Sequence, residues 1–136
     1  MRRARLPQLV MLARYVIDKE RRLVISTGSE QLTFSQVKTH QDQLLNDPDF
    51  DPEFNQLIDM TAVTSLDISV DEAKMIARRK LFSSTSRRAF VATSPTIFGM
   101  GRMMEAYHEM SNVASQVRVF YDLPSALKWL GLESRP

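Results

Sequence analysis

Leu57-Ile58-Asp59-Met60-Thr61-Ala62-Val63-Thr64-Ser65-Leu66-Asp67-Ile68-Ser69-Val70-Asp71-Glu72-Ala73-Lys74-Met75-Ile76 is the stretch that decides the fold. With Gln56 just before it, its start reads as a short apolar strand, Gln56 to Met60, with one carboxylate, Asp59, near its end. The polar middle reads as a tight turn. Ser69-Val70-Asp71-Glu72 is a capping box, a hydroxyl followed three residues later by a glutamate. It opens a helix carrying Ala73, Ile76, Ala77 and Leu81 at helical spacing. Ligand sites of open α/β sheets lie just beyond the carboxyl ends of strands, so this segment also points to where a site would be.

The same alternation continues on both sides. Upstream, Tyr15 to Ile17 and Leu23 to Ser26 are β-rich runs around the polar turn Asp18-Lys19-Glu20-Arg21, with Gly28 ending the second. Thr33-Phe34-Ser35-Gln36 is another capping box, and Phe34, Val37, Leu44 and Leu45 follow at helical spacing up to Asn46-Asp47-Pro48. Downstream, Ser83-Ser84-Thr85-Ser86 reads as a turn, and Ala89 to Ala92 as a strand covered on both faces. Ser94-Pro95 supplies an N-cap and an N1 proline for a methionine-rich helix. Val117 to Tyr121 is the last strand, and a final helix with Ala126, Leu127 and Leu130 ends at Gly131. The order is β-β-α-β-α-β-α-β-α. It implies an α/β fold with a five-stranded mixed sheet, the first strand antiparallel and the other four parallel through right-handed crossovers. Leu57, Ile58, Phe90, Val91, Val119 and Leu127 are expected to be buried together.

The 136 residues suit one domain, taken as residues 15–136, preceded by a leader or edge segment over residues 1–14. With no cysteine, there is no disulfide framework, thiolate metal site or cysteine nucleophile, and a cytoplasmic location fits. Two histidines are too few for an all-histidine metal site, so no metal and no cofactor are expected. Net charge is only +2, and the clusters Arg2-Arg3-Ala4-Arg5, Arg78-Arg79-Lys80 and Arg87-Arg88 read as solvated helix ends and turns, not as a nucleic-acid surface. No apolar run approaches the ~20 residues of a membrane span.

Several motifs in order carry a family resemblance. They are the strand Leu57-Ile58-Asp59-Met60, the turn Asp67-Ile68-Ser69-Val70, the strand Arg88-Ala89-Phe90-Val91, the helix start Gly99-Met100-Gly101-Arg102-Met103, the strand Val117-Arg118-Val119-Phe120 and the closing Ala126-Leu127-Lys128-Trp129-Leu130. Over about residues 15–132 the chain resembles the SpoIIAA-like superfamily, which holds STAS domains and SEC14-type lipid carriers. It is most similar to a branch of small bacterial proteins without an assigned activity. In STAS antagonists of anti-sigma factors the turn is Asp-Ser-Ser-Gly. Here Ile68 replaces the first serine and Val70 the glycine, while Ser69 matches the serine that a kinase phosphorylates.

Ser69 is fully explained as an N-cap; its functional reading is a phosphoacceptor at a helix N-terminus, crowded by Asp67, Asp71 and Glu72. Asp59 is read as a strand-end carboxylate and Asp67 as a turn-forming one, since no histidine or metal-ligand spacing supports acid-base work. Gly99 and Gly101 lack the remaining residues of a phosphate loop, so close helix packing explains them better. Met75, Met100, Met103, Met104 and Met110 fill the core or line an adaptable apolar groove between the two middle helices. His108, beside Glu109, reads as exposed. Any site is expected between the Asp59–Ser69 loop and the Ser94–Arg102 turn, built from Asp59, Asp67, Ser69, Met75, Ser94, Phe98, Gly99 and Arg102, with Arg102 as its cation. Two functions fit a chain without a catalytic constellation. One is a non-enzymatic STAS-like regulatory module acting through protein contacts. The other is a carrier or sensor of a small apolar or lipid-like anionic ligand. A homodimer is expected from the large apolar residues Phe82, Phe98, Met103 and Met110.

Overall fold

The computed structural model describes residues 13–110 and 116–132. Residues 1–12 of the expected leader lie outside them; Ala13 and Arg14 already belong to the first strand. The elements are β1 (Ala13–Asp18), β2 (Leu23–Thr33), α1 (Phe34–Leu45), β3 (Asn55–Asp67), α2 (Val70–Arg78), β4 (Arg87–Val91), α3 (Pro95–Met110), β5 (Gln116–Phe120) and α4 (Leu123–Trp129). They form one sheet in the order β1-β2-β3-β4-β5. β1 is antiparallel to β2, and β2 through β5 run parallel. This is the mixed sheet and element order that the sequence predicts.

Two strands are much longer than expected. Thr61 to Asp67 is not a tight turn. It prolongs β3 and pairs with Ser29–Thr33, which likewise carries β2 past Gly28. The reason lies in the residues: Thr61, Val63 and Thr64 are β-branched, and Val63 and Leu32 are buried in the same cluster. Register shifts at Thr27/Ser29 and Glu30/Gln31 bend the pair, and Glu30 takes a positive φ of 56° there. Helix α2 conversely stops at Arg78, short of Leu81. Arg79 turns extended, and its guanidinium reaches Gln41 (3.1 Å) and Asp42 (2.7 Å) on α1.

Alternate strand residues face opposite sides, which divides the predicted core. Leu57 and Val91 join Leu23, Ala89, Ala126 and Leu130 under α4, with Leu127 packed against them. Ile58, Phe90 and Val119 point the other way and are only half-buried. On that second face two buried clusters sit toward opposite strand ends. Val24, Leu44, Phe54, Leu81 and Phe82 form one, and Leu32, Val63, Ala92 and Ile97 the other. Helices α1 and α3 pack on the strands of this face, whereas α2 packs chiefly on α1 and α3. Phe82, one of four residues behind the expected dimer, is core: it meets Phe50 edge-on and is 2% exposed.

The two glycines of α3 differ. A Cβ at Gly101 would lie 2.7 Å from the Phe90 ring, so this glycine lets α3 approach the sheet, while a Cβ at Gly99 would meet nothing. Gly101→Ala should therefore destabilise by about 1–3 kcal/mol through overpacking. Gly99→Ala should stabilise by about 0.4–1 kcal/mol by restricting the unfolded chain. Urea unfolding of the two variants should give opposite signs; equal effects would contradict this packing.

Candidate functional site

Between the sheet and its three same-side helices lies a cavity of about 130 Å³. Ile58, Met60 and Phe90 form an apolar floor, Val37 and Leu44 one wall, Met100 and Met104 the other. Ala73, Ile76 and Ala77 of α2 are the roof. Two small alanines and a raised helix leave the space open. The methionines at Met100 and Met104, one turn apart, supply a flexible wall.

One part of the lining is polar. Gln56 and Arg88 are paired neighbours on β3 and β4, and Ser26 lies on the adjoining strand β2. His40 reaches over from α1. The four side chains form one chain of hydrogen bonds. Arg88 Nε donates to Gln56 Oε1 (2.8 Å), Gln56 Nε2 donates to Ser26 Oγ (2.9 Å), and Ser26 Oγ and His40 Nε2 are 2.9 Å apart. Phe82 lies under the Arg88 guanidinium, 4.6 Å from ring centroid to Cζ. Among the described residues no carboxylate forms an ion pair with Arg88. Its surface is only partly covered because it faces the cavity. Burial among protein atoms still pushes its pKa down, to about 10, and at neutral pH it keeps its charge. This corrects the reading of Arg87-Arg88 as a solvated turn. Arg87 is exposed, but Arg88 points inward one strand position later.

Both histidines are interior. His108 is 4% exposed, lines the cavity and has Nδ1 3.3 Å from the Ala77 carbonyl of α2. It is not the exposed residue expected, because its position on α3 faces α2. His40 is buried and edge-on to the Tyr15 ring at 5.4 Å. Desolvation first, then the positive charge of Arg88, lowers its pKa from 6.5 to about 4.

None of the eight residues expected to build a site lines this cavity. Asp59 Oδ1 accepts from Thr61 N (3.0 Å) and Thr61 Oγ1 (2.7 Å). Asp67 stands eight residues further along the same strand, roughly 25 Å away at the usual rise, so the two carboxylates are not brought together. Ser69 caps α2 as predicted, accepting from Glu72 N (3.1 Å) while Glu72 accepts from Ser69 N (2.9 Å). Met75 is exposed on the outer side of α2 and lines a separate surface hollow with Phe34 and Arg78. Ser94 caps α3, Phe98 stacks on Tyr121 with centroids 3.7 Å apart, and Gly99 is exposed. Arg102, the expected cation, is exposed and pairs with Glu105 at 3.2 Å. The lengthening of β3 moves Asp67 and Ser69 away from the sheet centre, and α3 turns Arg102 outward.

The lowered pKa of His40 makes stability pH-dependent. Between about pH 4 and 6.5 the unfolded state binds the proton that the folded state rejects. This contribution is complete above 6.5 and is lost as pH falls toward 4, with a slope of up to ~1.4 kcal/mol per pH unit. Denaturant unfolding from pH 4 to 7 should show the wild-type protein losing stability faster than His40→Leu in that window. Parallel curves would place the imidazole in solvent.

No protein-family model matches this chain, and no curated protein matches it. Among solved structures it is similar to an uncharacterized protein of the DUF3478 family from Shewanella loihica PV-4, described as having a SpoIIAA-like fold. Identity is 21%, the TM-score is 0.50, and the match covers 79% of this chain and 83% of that one. With its sheet order and four helices, the chain has a SpoIIAA-like fold, the fold that its Leu57–Ile76 segment and C-terminal motifs resemble.

Proposed function

We propose that this chain is a non-enzymatic binding module that takes a small apolar molecule into the cavity beneath α2, as a carrier or sensor. The observation that carries this reading is the cavity itself, an apolar chamber roofed by a helix that does not rest on the sheet. An engineered cavity of similar size in another protein binds benzene. The methionine wall can adapt to a guest. No acid-base pair is assembled by Asp59 and Asp67, which supports binding over bond-breaking. The volume is too small for a whole phospholipid, so the ligand is a compact molecule.

A second reading is contact with a regulatory protein, or with another copy of this chain, in the manner of STAS domains. It is supported by the outer surface of α2, where Val70 and Met75 are exposed beside Ser69. The two readings meet at α2, whose inner side faces the cavity and whose outer side faces solvent.

Toluene at saturation should raise Tm by about 2–6 °C per kcal/mol of binding linkage. Ala77→Leu should fill the roof and remove the shift without unfolding the protein. No shift in the wild type with either toluene or benzoate would sink the cavity as a binding site. For the second reading, light scattering should give a mass above 15.6 kDa at high concentration. A monomer mass throughout removes the homodimer.

A further inference from the structure

We infer that the cavity selects a monocarboxylate: a ring-sized apolar body lies against Met100 and Met104, and its carboxylate is held by the fork of Arg88. The inference rests on the binding function proposed above and adds the chemical class of the guest.

Arg88 has five donor N–H bonds. Nε is spent on Gln56, and one face of the guanidinium is covered by Phe82. Its terminal nitrogens make no hydrogen bond to the described residues. A guanidinium presenting two parallel N–H bonds matches a carboxylate bidentately. A partly desolvated cation without a counter-ion carries a cost, and a guest that brings one negative charge relieves it. Charge matching also sets the valence. Arg88 is the cation of this lining, so one negative charge neutralises it, whereas a phosphate monoester would bury an excess. Gln56, fixed between Arg88 and Ser26, holds the guanidinium in one orientation. The rest of the chamber offers mainly aliphatic and aromatic surface, which suits a body of about six carbons.

Calorimetric titration with benzoate, toluene and benzylamine tests this. Benzoate should bind more tightly than toluene, and benzylamine should not bind. In Arg88→Met, benzoate affinity should fall about 10- to 100-fold, the usual worth of a charge-assisted bond. Toluene affinity should be unchanged in that variant, and thermal stability equal or higher. If Arg88→Met does not fold, Arg88→Lys keeps the charge without the fork and should lose most of the benzoate preference. Equal affinities for benzoate and toluene, or a benzoate affinity indifferent to Arg88, would overturn the carboxylate site while leaving the cavity reading intact. Failure of both toluene and benzoate to bind would instead reject the cavity reading.

Discussion

The structure depends on a mismatch of widths. Neighbouring strands lie about 4.8 Å apart, but packed helices need 8–10 Å between axes. Here each crossover advances by one strand in the same direction, so α1, α2 and α3 all fall on one face. Three helices cannot lie flat above three strand intervals. Helix α1 spreads toward β1, α3 takes β5, and α2 rides between them. The chamber beneath α2 follows from this crowding. Its size is then set by side chains, and alanines at Ala73 and Ala77 keep it from being filled.

The opposite face has the reverse problem. Among the described residues, only the seven-residue helix α4 covers it. Ala126 and Leu130 seat on Leu57, Ala89 and Val91, and Trp129 extends the cover along Phe120. Arg87 adds a hydrogen bond to the Trp129 carbonyl at 2.7 Å and lies over its ring. A short helix can close this side because Ala89 lets it approach closely while the larger residues at its margin exclude water.

The fold was legible because its signals are local. Both capping boxes predicted, at Thr33 and Ser69, occur with both hydrogen bonds formed, and the strand-helix alternation gives the sheet order once crossovers are required to be right-handed. The long pairing of β2 with β3 was hidden because Thr61-Ala62-Val63-Thr64-Ser65 is polar by composition, although its β-branched residues favour a strand. The polar lining was less legible. Arg88 was within reach: a strand read as covered on both faces begins right after it, and period-two alternation puts it on the face of Phe90. Ser26, Gln56 and His40 come from three separate elements and carry no shared motif. Only the register of β2, β3 and β4 and the packing of α1 bring them together. Exposed candidates such as Arg102 attracted attention because chain position identifies helix starts, while a helix's rotation about its axis is decided by packing.

The raised position of α2 has a kinetic consequence. Nine residues are fewer than the ~12–15 at which an isolated helix becomes even marginally stable in water. With a cavity between it and the sheet, α2 depends on its capping box, its packing between α1 and α3, and the Arg79–Asp42 ion pair. Local opening should be least costly there, and its amides should exchange with deuterium ahead of those in the central strands. A guest in the chamber would then arrive at the pace of that opening, slower than free diffusion. By adding contacts to the underside of α2, it would also slow the exchange of the very helix that admitted it.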